Sequence, residues 1–298
     1  MEWKGIRGQV LKNVPMKRYT SMKVGGPATY MVYPVDHADL AKMIGIAEDK
    51  GMARRILGNG TNIIVGDKGL DELIVRITRV RQLHFKKTAG GTIVEAAGGM
   101  SLSRLIRESV ERGLAGLEKL YGIPGTVAGA IKMNAGSFGI QISDHLRSVA
   151  YMDSLKRIEK REKEACGFAY RTSVFTSSES ILRALFELHE GDKAHLKKEM
   201  EYVQAERRKK HPMEFPSAGS VFKNTGGNPA WKYIDKAGLR GFRIGDARIS
   251  EKHPNFIVNL GNATATDIVS LIRKVKREVY EQTGVRLEEE VELWGCDG

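Results

Sequence analysis

Apolar positions along this chain recur at two periods, and the two alternate from end to end. Short runs with strand character fall at residues 29–35, 55–57, 63–65, 73–77, 82–85 and 92–97. Helical spacing puts Leu40, Met43, Ile44 and Ala47 on one face of a helix that Asp36 can N-cap and Gly51 can end. A second helix is predicted from Ser101 to about Arg112, stopped by Gly113. Residues 146–152 and 155–159 read as a hairpin turning at Asp153-Ser154, and 181–188 as a further strand. Residues 192–210 form a charged helix with Leu196, Met200 and Val203 as its apolar stripe. The pattern then predicts a turn at 217–224, a short helix at 229–237 and a strand at 255–260. An amphipathic helix follows at 266–282, capped by Thr266 or Asp267, and a last strand at 285–294. Strands and helices mix without strict βαβ alternation, which predicts the α+β class.

At 298 residues the chain is long enough for two or three domains with a sizeable core. A formal net charge of +12 suits an acidic partner, whether nucleic acid or small molecules bearing phosphates and carboxylates. The basic residues are spread along the chain and aromatic residues are only 7%, which argues against a nucleic-acid face. The densest basic run, residues 207–210, ends a helix, where cations complement the macrodipole anyway. Cys166 and Cys296 lie far apart and fit no metal-ligand spacing, so they read as free thiols in a reducing compartment. The first residues carry charges throughout and lack the apolar core of a signal peptide, and no apolar run is long enough to span a membrane. The expected location is cytoplasmic, with no metal, no membrane and no nucleic acid as partner.

Two glycine-rich stretches carry the candidate chemistry. The first is Gly58-Asn59-Gly60-Thr61-Asn62-Ile63, and the second is GIPGTVAGAIKMNAG at 122–136, whose one charge is Lys132. So little side chain lets backbone approach a ligand closely, and successive N–H groups in such turns can nest a phosphate. The same residues also suit a hairpin turn and a tightly packed core loop. The first loop fails the dinucleotide fingerprint, because Ile63 stands where the third glycine belongs and a strand follows rather than a helix.

The two loops, in this order, resemble the flavin-binding domain of the vanillyl-alcohol-oxidase (PCMH) type. The match extends through TSMKVGGPA (20–28), LGNGTNIIV (57–65), GIPGTVAGAIKMNAG (122–136), YRTSVF (170–175), SAGSVFKN (217–224) and LEEEV (287–291). Together these are similar to the UDP-N-acetylenolpyruvoylglucosamine reductases (MurB), over nearly the whole chain. The resemblance implies a two-part FAD-binding domain followed by a C-terminal α+β substrate-binding domain. Its parts would be residues 1–80 and 81–190 for the two FAD subdomains and 191–298 for the substrate domain, with the option that the last strand, 291–298, returns to the first. It implies non-covalent FAD, NADPH as hydride donor and UDP-N-acetylglucosamine enolpyruvate as substrate, in peptidoglycan precursor synthesis and so in cell-wall biogenesis, cell shape and division. It leaves the oligomeric state open and is compatible with a monomer.

Residue by residue, the resemblance gives cofactor contacts to Gly58, Asn59, Gly60, Thr61, Asn62 and Ile63. In the second loop it gives them to Gly122, Ile123, Pro124, Gly125, Thr126 and Gly129. Ser220 corresponds to the proton donor, and Arg171 and Glu290 to the pair that stabilises an enolate. Tyr170, Lys223, Asn224 and His253 fall around the substrate. Read without the family, Ser220 is a turn hydroxyl, Arg171 a surface ion-pair partner and Glu290 one of a solvated run of three; His253 beside Pro254 equally suits a structural role. If 285–294 were a strand, Glu288, Glu290 and Glu292 would share a face, so periodicity cannot single out Glu290. Departures from the family are small: Thr61 where serine is usual, and Thr225 where proline is common. The interval between Arg171 and Ser220 lacks the tyrosine-bearing insertion of longer members, which marks the short type. A different flavin-dependent oxidase or dehydrogenase of the same fold is the competing enzyme, and a basic nucleic-acid-binding protein the non-enzymatic one.

Overall fold

The computed structural model describes residues 2–296 and divides the chain into two compact units. One takes the chain up to Lys12, then Tyr30–Asn59 and Glu72–Arg207; the other takes Asn13–Thr29, Gly60–Asp71 and the chain from Arg208 on. The class is α+β, as the mixed pattern implies.

The first unit is built on an antiparallel sheet in the order Ile158–Glu162, Leu146–Met152, Ser180–Glu190, Gly91–Ala97, Leu83–Thr88, with Leu114–Ala115 added against the end of Ser180–Glu190. Along the central strand, Leu182, Ala184, Phe186 and Leu188 are buried while Arg183 is exposed, the alternation a half-covered strand requires. Helix Leu102–Glu111 contributes Leu102, Leu105, Ile106 and Val110 to the same core at helical spacing. Helix His37–Glu48 is capped as its sequence predicts, with the Asp36 carboxylate accepting the Asp39 N–H at 2.9 Å. A parallel pair joins Arg54–Leu57 to residues 73–76 and ends where the first glycine loop begins.

The second unit packs helices Ala230–Lys236 and Ala265–Thr283 with an antiparallel sheet ordered Ser217–Ser220, Phe256–Asn259, Ala247–Ile249, Arg243–Ile244. Ile268, Leu271, Ile272, Val275 and Val279 form the buried stripe of the long helix. Strand Ile63–Val65 runs parallel to Glu292–Trp294, pairing Ile63 with Glu292.

Several local expectations are corrected, each by a tertiary partner. The long helix starts at Ala265, and its cap is Thr264, not Thr266 or Asp267. Thr264 and Asp267 form a reciprocal capping box, while the Asp67 carboxylate takes the N–H groups of Ala265 and Thr266 at 2.9 Å each. Residues 217–220 form a strand rather than a turn, because Phe256–Asn259 offers them a ladder. Residues 284–291 form no strand but one isolated antiparallel bridge, Glu289 with Phe222, and hydrogen bonds with Val221 and Lys223 hold them, while Glu292–Trp294 is strand. Residues 127–132, expected within a loop, make a short helix capped by Thr126. The second hairpin strand is Ile158–Glu162, later than expected, since the turn runs through Lys156 at φ +64° and Asp153 Oδ1 accepts the Arg157 N–H at 2.8 Å.

Candidate functional site

In the first unit the two glycine-rich stretches touch. A Cβ on Gly58 would lie 2.5 Å from Thr126 Oγ1, so only glycine fits while that hydroxyl stays in place. The hydroxyl is committed: it accepts the Gly129 N–H at 3.2 Å and caps the helix Val127–Lys132. Gly122 and Gly125 sit at φ +82° and +138°, conformations that side-chain-bearing residues rarely adopt. The loop is moored to the segment just past strand Gly91–Ala97 by Leu102 N–H to the Gly125 carbonyl (3.1 Å) and by Val127 and Ala128 N–H groups to the carbonyls of Met100 and Gly98 (2.9 Å each).

The far end of this stretch holds the turn bearing Tyr170 and Arg171. Buried Asn134 donates to Ala169 O at 3.0 Å and to Gln141 Oε1 at 2.7 Å, and Ser173 Oγ donates to Lys132 O at 2.7 Å. Arg171 has φ +56°, unusual for any residue other than glycine, and its guanidinium donates to Gly136 O at 3.2 Å. Its guanidinium lies 5.0 Å from the ring of exposed Tyr170. The structure therefore joins Tyr170 and Arg171 to the second glycine stretch.

Arg207 belongs to the same neighbourhood and was missed as a site residue. It donates to Tyr121 O at 3.1 Å and to Ser137 Oγ at 2.6 Å, beside Gly122. Burial, and then the charge of Arg171, hold its pKa below the ordinary arginine value. The signal was available: Arg207 continues the stripe Leu196, Met200, Val203 by one more helical turn.

In the second unit the elements converge on the segment after Ser220. Ser217 pairs with Val258 and Ser220 with Phe256, so three steps on one strand oppose two on the other. That is a β-bulge, with Gly219 at φ +78°, and it turns Ser220 to the face that Ser217 shares. Beyond the bulge, Asn255 clamps the chain: its Oδ1 accepts the Phe222 N–H at 2.9 Å and its Nδ2 donates to Phe222 O at 2.8 Å. On the other side Lys223 N–H donates to Glu288 O at 2.9 Å and Glu290 N–H to Val221 O at 2.7 Å. Asn62 closes the network, its side-chain amide donating to Glu290 O at 2.9 Å while Glu292 N–H donates to Asn62 O at 2.9 Å. Gly60 is held against Tyr19, whose carbonyl oxygen would sit 2.0 Å from any Cβ placed there. Asn62, Glu290 and the backbone next to Ser220 are thus parts of one hydrogen-bonded set.

The remaining predicted residues are placed as follows. Lys223 pairs with the exposed Glu288 at 2.5 Å. Asn224 Oδ1 accepts the Ala230 N–H at 3.1 Å at the start of helix Ala230–Lys236. His253 packs edge-on against Phe256, 5.0 Å between ring centres, and its Nδ1 accepts the Asn255 N–H at 3.3 Å. Burial lowers its pKa, which keeps the ring neutral near pH 7. Asn255 itself was missed; a lone asparagine in a predicted strand gives no hint that it serves a segment 33 residues away. Among the described residues no cluster of His, Cys, Asp and Glu is arranged to hold a metal ion, and no helix is long and apolar enough to cross a membrane.

Residues 28–158 match the family described as FAD binding domain, and residues 211–294 the family described as UDP-N-acetylenolpyruvoylglucosamine reductase, C-terminal domain. The UDP-N-acetylenolpyruvoylglucosamine reductase of Carboxydothermus hydrogenoformans is 39% identical over 293 residues, 98% of this chain and 96% of the relative. That of Caldicellulosiruptor saccharolyticus is 42% identical over 291 residues, 96% of this chain and 92% of the relative. Among solved structures, the reductase (MurB) of Thermus caldophilus gives a TM-score of 0.80 at 34% identity, covering 97% of this chain and 99% of that one. A solvent-stable cholesterol oxidase shares the fold alone, with a TM-score of 0.51 at 13% identity over 64% of this chain and 40% of its own.

Proposed function

This chain belongs to the UDP-N-acetylenolpyruvoylglucosamine reductase family, and on that premise we propose that it reduces UDP-N-acetylglucosamine enolpyruvate to UDP-N-acetylmuramate, with bound FAD and with NADPH as hydride source. The observation that carries the proposal is a likeness to reductases that spans the FAD-binding region and the C-terminal domain in one chain. The proposal includes a place in cytoplasmic peptidoglycan precursor supply, and through it in cell shape and division. It keeps the division of the chain near residues 80 and 190 into two FAD subdomains and a substrate domain.

The residues proposed to hold FAD are Gly58 to Ile63 by their backbone, by the Thr61 hydroxyl and by the Asn62 amide, and Gly122, Ile123, Pro124, Gly125, Thr126 and Gly129. They fit such a group. Gly58, Gly60 and Gly125 stand where a side chain would clash or strain the backbone, as a cradle of main-chain N–H groups requires. FAD, when bound, supplies the hydride that adds to the terminal carbon of the enolpyruvyl double bond.

The rest falls to this chain's side chains. Hydride addition leaves negative charge on the carbon next to the substrate carboxylate, an enolate-like dianion. It needs a cation or hydrogen-bond donor near the oxygens and a proton at that carbon. In our proposal the Arg171 guanidinium and the Glu290 carboxyl group, the latter as the neutral acid donating its O–H, stabilise the enolate, and Ser220 Oγ–H gives its proton to the carbon and regains one from solvent. The bulge that aims Ser220 supports its role, since bulges commonly re-aim a side chain beside a reactive centre. For Arg171, support comes from its left-handed backbone, in a turn closed by the Ala169–Thr172 pair, and from Gly136, whose carbonyl accepts from its guanidinium. Lys223, Asn224, Tyr170 and His253 complete the proposed substrate contacts. Lys223 would exchange an exposed carboxylate for a phosphate at little cost, because exposed ion pairs are worth little. His253, neutral, would serve as a hydrogen-bonding group and not as a cation.

The test is the visible spectrum of the purified protein under anaerobic conditions. Bleaching of the flavin band by NADPH, and its return on adding UDP-N-acetylglucosamine enolpyruvate, is the expected result. A yellow protein whose colour returns only with oxygen would make it an oxidase of the same fold. A colourless protein that FAD does not reconstitute would remove the proposal.

A further inference from the structure

We propose that the Asn62 side chain acts as a positioning residue for Glu290, so that the first glycine loop sets the placement of the carboxyl group used on the substrate; this rests on the reductase function above. Glu290 lies in the irregular stretch between the long helix and the last strand, where no ladder fixes the backbone. A single antiparallel bridge, Phe222 with Glu289, and individual hydrogen bonds replace the ladder. The N–H of Glu290 is held by Val221 O at 2.7 Å, and its C=O by Asn62 Nδ2 at 2.9 Å. These anchor the peptide planes on both sides of its Cα, and so set the direction in which the side chain leaves. The first anchor neighbours Ser220; the second comes from the cofactor loop. Asn62 is fixed in turn by Glu292 N–H on its own carbonyl.

The chemistry demands an amide at position 62. The group it meets is a carbonyl oxygen, which needs a donor; a carboxylate of the same size would set two acceptors against each other. Loosening the anchor would let the carboxyl group drift, and displacements of about 1 Å can cost about 100-fold in rate. The step affected is the one in which the substrate carries the charge, not the one in which NADPH delivers hydride.

The experiment compares Asn62→Ala and the isosteric Asn62→Asp with wild type as holoenzyme. Four quantities are read: flavin content, the NADPH and substrate half-reactions by stopped flow, and amide hydrogen exchange across residues 286–294. The expected result, read per bound flavin, is a substrate step slowed by about 10- to 100-fold beyond any change in the NADPH step. Amides of the 288–292 segment should exchange faster. In a Glu290→Gln background the Asn62 substitution should add almost nothing, since the group it places is already gone. Loss of flavin with both rates per flavin unchanged would confine the Asn62 side chain to holding the cofactor and overturn the proposal. Equal slowing of both steps, additive losses in the double variant, or unaltered exchange would overturn it as well. Failure of wild type to use the enolpyruvyl substrate would instead remove the function, while the exchange measurement would still decide the anchoring contact.

Discussion

Replacing Gly58 by alanine isolates the contact between the two glycine stretches. Gly58 has no left-handed backbone angle, so alanine brings no torsional strain there and the effect comes from one methyl group. That methyl would lie 2.5 Å from Thr126 Oγ1, 3.2 Å from its Cγ2 and 3.5 Å from its Cβ. The first distance is untenable, so the threonine must turn away or the loop must move. Overpacking of this kind costs about 1–3 kcal/mol. Turning Thr126 away also removes the cap it places on Gly129, worth about 1 kcal/mol. The sum is about 2–4 kcal/mol, to be read as a lower urea midpoint together with weaker FAD retention. Thr126→Ala alone should cost about the cap, near 1 kcal/mol. The double variant is the decisive case: with Oγ1 and Cγ2 gone, the new methyl meets only a Cβ at 3.5 Å, an ordinary contact. It should be no less stable than Thr126→Ala, so the second substitution rescues the first. Additive losses, or a Gly58→Ala protein as stable as wild type, would refute the reasoning.

Ser220→Ala should leave flavin bleaching by NADPH intact and slow substrate reduction by about 10²–10⁴-fold, the usual worth of a placed acid; equal loss in both half-reactions would end its assignment as proton donor. Asn255→Ala strands the N–H and C=O of buried Phe222, at about 1–3 kcal/mol for each; a denaturation midpoint unchanged from wild type would contradict the clamp. Asp67→Asn tests the start of the long helix. Burial raises the Asp67 pKa, but hydrogen bonds from Ala265 and Thr266 outweigh it and hold it below 3.8. A carboxyl with a depressed folded pKa stabilises above its unfolded pKa and loses that contribution as pH falls through the folded value. Wild type should therefore exceed Asp67→Asn in stability at neutral pH, and the gap should close below about pH 3.8. A gap that persists at low pH would place the effect elsewhere than on the charge.

What could be read from the chain alone was whatever a short window encodes. The cap Asp36, the stripe Leu40, Met43, Ile44 and Ala47, and the strand at 181–188 depend on neighbours within a turn or two, and all appear in the structure. The glycine stretches and the motifs around Arg171, Ser220 and Glu290 were also legible, because the family's chemistry leaves its residue types in order along the sequence. The structure alone decided which segments meet. Residues 217–220 became strand because 256–259 lay beside them, and 284–291 stayed irregular because it follows Val221 and Lys223 instead of a ladder. Thr264 outranked Thr266 as a cap because Asp67, 199 positions from Thr266, already held that residue's N–H. Asn255 and Asn62 act on residues 33 and 228 positions away. Periodicity and propensity express the preference of a segment for its own conformation. A hydrogen bond across such distances is specified by neither end, only by the packing that brings both together.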